Sequence, residues 1–426
     1  MQPPARLSLH LPKAAAPLAN ARLRAYLAGN AASAVGTWAQ RVVLLWLAWE
    51  MTQSSFMLGL MAMADLLPSM VVAPFAGTLV DRQDKIRLAL WLQLLSIAPP
   101  CIMLIAIMAE LVSPTMLLIV AGLTGILNGF DHPTRMVVVG SIVPKEDVPG
   151  AITINSMVFN LARMLGPAAA GMALTLEALW SVFLFNTISY LLFALILARL
   201  SQSENTNQRR GSEGLEGSTE GKLSHSTWSA VIHALTGHHK LLLLFFALLA
   251  LCYRPIFELL PAFAGQVVIG EAARAKAFSL MTSAQGLGAI GGGLMTSFLL
   301  TKGSPLSLAI GFGLSAILAC GLFLISHVLW AGLLTLACLS GAILANGVCT
   351  QVVLQTQVPE SVRGKVLSLY TMIFRGLPAM GAMVAGLIAE NTSNRVIFGL
   401  SSLPIVAMLL VLLVALNKDR KKLSDS

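Results

Sequence analysis

Residues 77–88 read GTLVDRQDKIRL and carry five charged side chains, although only 11% of the residues in the whole chain are charged. The segments on either side, MLGLMAMADLLPSMVVAPFA (57–76) and LALWLQLLSIAPPCIMLIAIMA (88–109), are almost wholly apolar. A short charged segment between two long apolar ones is typical of a loop that joins two membrane-spanning helices.

The composition of the whole chain supports a membrane protein. Hydrophobic residues make up 56% of the 426 residues and the mean hydropathy is +0.79, far more apolar material than a soluble core of this size encloses. The apolar runs are long and continuous, whereas the strands of a membrane β-barrel are short and alternating. We therefore predict an all-α membrane protein with twelve transmembrane helices, near residues 25–49, 55–78, 87–109, 114–138, 149–175, 178–199, 240–265, 275–301, 304–326, 329–353, 364–389 and 394–416.

A polar segment rich in Ser, Gly and Glu, residues 201–226, divides the chain into two halves of six spans each. We predict an amino-terminal six-helix bundle in residues 1–200, a cytoplasmic linker in 201–238 and a carboxyl-terminal six-helix bundle in 239–426. Residues 137–171 align without gaps with residues 352–386, and about a quarter of the aligned positions are identical. Two related six-helix halves are typical of a transporter whose substrate site lies between them.

Basic residues indicate how the chain crosses the membrane. With both termini in the cytoplasm, most Lys and Arg fall in the tails and inner loops, as the positive-inside rule requires. The net charge of +9 then reflects contact with anionic lipid headgroups and not with nucleic acid. We expect a multi-pass protein of the cell inner (cytoplasmic) membrane, with only three basic residues in its outer loops: Arg274, Lys276 and Arg395.

The opening segment resembles the loop signature of the major facilitator superfamily, and Asp84 stands where that signature usually has a second glycine. The resemblance implies the major facilitator fold and a gating loop that latches the inner helix ends in one state of the transport cycle. The basic residues could instead serve only to fix the topology. The residues that match the signature are Gly77, Asp81, Arg82, Lys85 and Arg87.

A second signature lies in the fifth span, where LGPAAAG (165–171) is similar to the Gly-Pro motif of the superfamily's exporters through Gly166, Pro167 and Gly171. Longer stretches of both halves resemble the branch that contains enterobactin exporters and macrolide efflux proteins. The resemblance implies a secondary active transporter that exports an amphipathic small molecule, siderophore-like or drug-like, by alternating access and in exchange for protons. A lipid or lysolipid transporter and a membrane sensor without transport are the alternatives.

Ionisable residues inside the predicted spans are candidates for proton coupling. Arg41 and Asp65 fall at similar depths in neighbouring spans, where they form either a coupling pair or a static ion pair. Glu258 lies four residues after Arg254 in a span broken by two prolines. It is either the second coupling residue or the partner of Arg254 in a structural pair.

Polar and cationic residues in the spans predict a substrate cavity. Asn30, Ser33, Thr37, Gln40 and Arg41 recur at helical spacing, so we expect this stripe of the first span to face the central cavity. Three further cations are substrate candidates, because a buried cation attracts an anionic or catechol-like cargo, although they could also pair with the acids above. These are Arg163, Arg254 and Arg375.

The sequence gives no indication of an enzyme. It lacks a Walker loop, a nucleophile elbow and metal-ligand spacing, and the pattern Gly286-x-Gly288-x-x-Gly291 lies inside an apolar span, where it indicates helix packing and not dinucleotide binding. We therefore expect no cofactor and no metal. The expected partners are a small-molecule substrate, protons and the lipid bilayer, with the protein acting as a monomer.

The latch hypothesis makes a prediction for Asp81. Replacing Asp81 with Ala should reduce transport, because the carboxylate can no longer hold a neighbouring helix end, while insertion into the membrane remains normal. Flux in vesicles and the amount of inserted protein are the two measurements. Wild-type flux in this variant would leave the loop with a topological role alone.

Overall fold

A computed structural model describes residues 17–208, 237–268 and 270–424, and these ranges form helices without any strand. The first half consists of six helical segments, as predicted. A single turn of 3₁₀ helix, Lys145–Asp147, precedes the fifth segment. The α-helices of this half are α1 (Ala21–Thr52), α2 (Ser55–Arg82), α3 (Lys85–Leu95) with α4 (Ala98–Met108), α5 (Pro114–Ile142), α6 (Val148–Thr175) and α7 (Leu179–Gln208).

The second half repeats this arrangement of six segments. Its first segment is broken into two α-helices separated by a 3₁₀ helix, Arg254–Phe257. The α-helices are α8 (Gly237–Cys252) with α9 (Leu260–Val267), α10 (Glu271–Leu300), α11 (Pro305–Ile325), α12 (Leu329–Gln357), α13 (Glu360–Ala389) and α14 (Asn394–Ser424).

Ten segments within the described residues are long and apolar enough to cross a membrane. The other two, α1 and α10, are equally long at 32 and 30 residues but more polar. Helix α1 carries the stripe that includes Asn30, Gln40 and Arg41, and such a helix must bury its polar face against protein. All twelve predicted spans therefore correspond to helical segments, and the fold is that of a twelve-helix membrane protein.

Prolines break two of the segments. The break predicted from Pro255 and Pro261 is confirmed, because each residue begins a new short helix after α8. The third span, predicted as one helix, is two: α3 ends at Leu95 and α4 begins just before Pro99 and Pro100, which cannot donate backbone hydrogen bonds. By contrast, α6 continues through Pro167.

The boundaries of the linker differ from the prediction. Helix α7 continues to Gln208, past the predicted end of the first bundle at residue 200, because SQSENTNQ contains neither Gly nor Pro to stop it. Helix α8 begins at Gly237. The part of the predicted linker between residues 209 and 236 lies outside the described residues.

The predicted gating loop is mostly helix. Helix α2 continues to Arg82, so only Gln83 and Asp84 separate it from α3. Asp84 caps α3: its Oδ1 accepts a hydrogen bond from the backbone N–H of Arg87 at 2.9 Å, which explains an acidic residue where the family signature has glycine. Lys85 and Arg87 are exposed beside it, and Arg87 Nε lies 3.9 Å from Asp84 Oδ2. The surroundings of Gly77 and the side chains of Asp81 and Arg82 lie outside the described part of the chain.

Equivalent glycines make equivalent contacts in the two halves. Gly166 packs against Trp38 and Val35 of α1, while Gly381, its counterpart in the aligned repeat, packs against Leu251 of α8. Gly171 and Gly386 are also counterparts, and each packs against a helix of the opposite half. Their neighbours are Ser279 of α10 and Ser55 of α2, respectively. The internal repeat seen in the sequence is therefore a structural repeat.

The two halves meet closely at the distal end of the bundle, which is the end where α1 stops and α2 begins (Thr52–Ser55). There the Ser54 hydroxyl donates a 2.6 Å hydrogen bond to Glu390. Gly59 packs on the backbone of Ala382, and Gly386 packs on the backbone of Ser55. Close backbone approach of this kind requires glycine, since helices in lipid associate through packing and not through the hydrophobic effect.

Substitutions at two glycines of the second half test how much this close helix packing contributes to stability. Gly292 of α10 lies directly against Gly341 of α12, whereas nothing lies within 4 Å of the position that a Cβ atom would take at Gly311 of α11. Gly292→Ala should lower the free energy of unfolding by about 1–3 kcal/mol through overpacking. Gly311→Ala should be neutral or slightly stabilising, because alanine favours helix.

The measurement is the midpoint of thermal unfolding in detergent, followed by tryptophan fluorescence. The two variants carry the same change in the same half of the molecule. Equal midpoints for both would show that the α10–α12 contact does not limit stability.

Candidate functional site

A cavity of about 110 Å³ lies between the two halves, near the middle of the molecule. Helices α1 and α6 of the first half form one wall, and the broken segment around Arg254, together with α10 and α13, forms the other. The lining combines four cations with aromatic rings and one acid, and it includes Trp38, Arg41, Arg163, Arg254, Glu258, Phe374 and Arg375.

Arg41 joins both halves at this cavity. Its Nη1 lies 3.1 Å from Asp65 Oδ2 on α2, and its Nη2 donates a 2.8 Å hydrogen bond to Glu258 Oε1, which belongs to the second half. Charge-assisted bonds of this length are strong where water is scarce. Arg41 and Asp65 thus lie close together, as predicted. Glu258 adds a second carboxylate, and the three residues form an ionic bridge between the halves.

Glu258 does not form the pair with Arg254 that the sequence suggested. Pro255 makes this stretch a 3₁₀ helix, so residues four positions apart no longer share a face as they would in an α-helix. Arg254 instead donates a 2.9 Å hydrogen bond to the backbone carbonyl of Phe374 on α13. Its guanidinium also lies 4.3 Å from the centre of the Phe374 ring.

Aromatic rings support the cations of the cavity. The guanidinium carbons of Arg41 and Arg163 lie 5.7 and 5.4 Å from the centre of the Trp38 ring, both within the range of a cation–π interaction. Arg375 lines the same cavity. All four arginines that the sequence suggested as substrate contacts thus surround one space.

The other polar residues of the predicted stripe on α1 face the interior of the first bundle. The prediction that they face the central cavity is wrong. Asn30, Ser33 and Gln40 are at most 3% exposed. Gln40 accepts a 2.6 Å hydrogen bond from Asn186, and Thr37 bonds to the Tyr190 hydroxyl at 2.8 Å, both on α7. Polar periodicity showed only that this face meets protein. It could not distinguish the cavity from the interior of the first bundle.

A buried ionic network lies inside the first bundle. Arg135 Nε is 2.5 Å from Asp131 Oδ2, and Gln93 donates a 2.8 Å hydrogen bond to the other carboxylate oxygen. Arg135 also donates to Asn30 and, at 3.0 Å, to Ser33. The four-residue spacing of Asp131 and Arg135 in an apolar span was the signal for this pair.

The second half has no such pair at the equivalent positions. Extending the alignment of the repeat to α5 and α12 places Asn346 opposite Asp131 and Thr350 opposite Arg135, and both of these uncharged residues are fully buried. Asn346 donates a 2.7 Å hydrogen bond to the Ala309 carbonyl, while Thr350 Oγ1 has no hydrogen-bond partner among the described residues. The two bundles are alike in backbone but differ in the chemistry of their interiors.

The Gly-Pro motif of α6 lies at the contact between the halves. Gly166 meets α1, and the carbonyl of Pro167 accepts a 3.2 Å hydrogen bond from Ser279 of α10. Gly171 packs on the same serine. This motif therefore positions α6, which carries Arg163, between its own bundle and the opposite half.

Comparison with known proteins supports the assignment of the fold. Residues 13–425 match the model of a family described as transmembrane secretion effector. Among solved structures, a bacterial homologue of the iron transporter ferroportin in an inward-facing state has a TM-score of 0.68 at 15% sequence identity, with 92% of this chain and 98% of that chain covered. At this identity the likeness concerns the fold alone.

Two curated relatives match part of the sequence. The staphyloferrin A transporter of Staphylococcus aureus is 26% identical over 165 residues, which cover 38% of this chain and 41% of the relative. Macrolide efflux protein A of Streptococcus pyogenes is 24% identical over 161 residues, covering 38% of each chain. The matched segments thus span less than half the length of these relatives.

Removing different members of the bridge at Arg41 should lower the free energy of unfolding by different amounts. Arg41→Gln leaves Asp65 and Glu258, two partly buried carboxylates, without the guanidinium that each of them pairs with directly, so the free energy of unfolding should fall by up to about 3 kcal/mol. The double change Arg41→Gln with Glu258→Gln removes one of those charges and should recover part of the loss. The midpoint of thermal unfolding at pH 8 measures both effects.

A variant Arg395→Gln provides the control, because Arg395 lies near the distal end and bonds to His327. If Arg41→Gln is as stable as this control, the guanidinium does not hold the halves together.

Proposed function

We propose a proton-driven export function for this chain, which belongs to the transmembrane secretion effector family of the major facilitator superfamily. In this proposal the protein is a secondary active transporter that moves an amphipathic small molecule out of the cytoplasm. The observation that carries the proposal is the bridge from Arg41 to Asp65 and Glu258, which places two ionisable carboxylates at the junction of the halves.

Transport would proceed by alternating access. The close contacts at the distal end, where Gly59 meets Ala382 and Ser54 meets Glu390, hold the two halves together. With both chain termini in the cytoplasm, this end is the extracytoplasmic side, and the described arrangement is closed there. Rocking the halves about the central cavity would break these contacts and open that side.

Proton binding would couple to this motion through Glu258. The carboxylate holds Arg41 across the boundary between the halves at 2.8 Å. Protonation neutralises it and removes one of the two ion pairs, which loosens the link between the halves. The two access states then differ in their preference for the proton, which is the condition for a proton gradient to drive the cycle. Asp65 would retain Arg41 on the first half.

The cargo class follows from the walls of the cavity and from the relatives. Aromatic rings and arginines both line the space, as suits a molecule with both apolar and charged parts. The names of the relatives refer to a siderophore and to macrolides. We therefore propose a siderophore-like or drug-like cargo, carried across the cell inner membrane.

The proposal predicts that the two carboxylates are needed for gradient-driven flux. Cells with and without the protein are first compared for the metabolites they release, and a released compound is then followed in vesicles under an imposed pH gradient. Glu258→Gln should abolish most of the flux that the gradient drives, because it removes the carboxylate that takes up the proton. Asp65→Asn should do the same, because Arg41 then has no ionic partner on the first half when Glu258 is protonated.

Glu110→Gln is the matched control, since Glu110 is an exposed acid in the loop before α5. All variants must insert in equal amounts. Normal flux from both bridge variants at every pH tested would reject proton coupling through these acids.

A further inference from the structure

Three of the cavity arginines have no carboxylate partner among the described residues. The bridge uses the carboxylates of Asp65 and Glu258, and both bind Arg41. The ion pairs within 4 Å in the described part of the chain do not include the other three cations. These are Arg163, Arg254 and Arg375.

This arrangement leaves the cavity strongly positive. Four guanidinium groups face two carboxylates, so the site carries an excess of two positive charges when both acids are ionised. Unbalanced charge inside a membrane protein is costly, and it persists where a function requires it. A negatively charged occupant would balance the charge directly.

The aromatic rings leave the guanidinium groups able to bind such an occupant. Arg163 lies over the Trp38 ring and Arg254 over the Phe374 ring. A guanidinium that stacks on a ring keeps in-plane N–H donors, which match the two oxygens of a carboxylate. Both rings also line the cavity, so the carbon atoms that they expose there can contact the uncharged part of a ligand.

We propose that this cavity is a binding site for an organic anion that carries one or two carboxylates next to a planar apolar group. Arg163 and Arg375 would hold the anionic groups, and Trp38 and Phe374 would contact the planar part. The inference rests on the proposed transport function for its biological meaning, although binding itself requires no gradient. It excludes cationic cargo, because a further positive charge would meet the same unbalanced field.

The size of the cavity indicates which part of a ligand it holds. Its volume of about 110 Å³ has room for a carboxylate and a small ring. Sites that enclose a whole drug-sized ligand are larger, at roughly 300–1,000 Å³. The anionic head of the cargo would therefore occupy this space, and the rest of a larger molecule would extend through the open side of the cavity.

The test uses two fluorescent probes that differ only in charge, dansyl-glutamate and its neutral diamide. The full-length protein in nanodiscs is titrated with each probe without any ion gradient, and energy transfer from tryptophan to the dansyl group reports binding. Dansyl-glutamate should bind saturably and at least roughly tenfold more tightly than the diamide, as expected for charge-assisted hydrogen bonds.

Two variants then locate the binding. Arg163→Gln and Arg375→Gln should each weaken dansyl-glutamate binding roughly tenfold and leave the diamide unchanged. Arg395→Gln, which removes the same charge near the distal end, should change neither. Anion preference that survives in both cavity variants would assign the binding to the basic surface of the protein and would overturn the proposal.

The comparison of the two probes on the wild-type protein requires no variant, so the inference can fail even if a variant does not fold. Equal affinities for dansyl-glutamate and its diamide, or the absence of binding by both, would overturn it. Anion-selective binding without gradient-driven flux would instead support the site and reject the proposed transport cycle.

Discussion

A charge inside a membrane protein is costly without a counter-charge, and Arg41 has one on each side of the boundary between the halves. One bond at 3.1 Å ties it to Asp65 of its own bundle, and one at 2.8 Å ties it to Glu258 of the other. This bridge lies where α1, the proline break in the segment after α8 and the cavity meet. It brings two acids from different halves to a single guanidinium.

Around the bridge, the molecule is assembled by close approach of helices. Gly166, Gly171, Gly381 and Gly386 occupy equivalent places in the repeat and let backbones meet where a side chain would not fit. In lipid, where apolar surface gains little by burial, such packing provides much of the association between helices. These glycines therefore set the separation between the helices that carry the charged residues of the cavity.

Much of the fold could be predicted from the sequence, because hydropathy, prolines and the internal repeat are local or periodic signals. The twelve segments and the break at Pro255 and Pro261 are examples. The partner of Glu258 could not be predicted, since it lies 217 residues away and depends on how the halves meet. Periodicity also could not show that Gln40 faces α7 while Arg41, its neighbour, faces the cavity.

The unequal interiors of the bundles limit how far the two halves are interchangeable. Asp131 and Arg135 in one copy of the repeat stand opposite Asn346 and Thr350 in the other, at matching positions. At these positions one copy has an ion pair and the other has uncharged side chains. Grafting the side chains of α12 onto α5 would therefore leave Asn30 and Ser33 without the guanidinium that they bind, although the two helices correspond in the repeat.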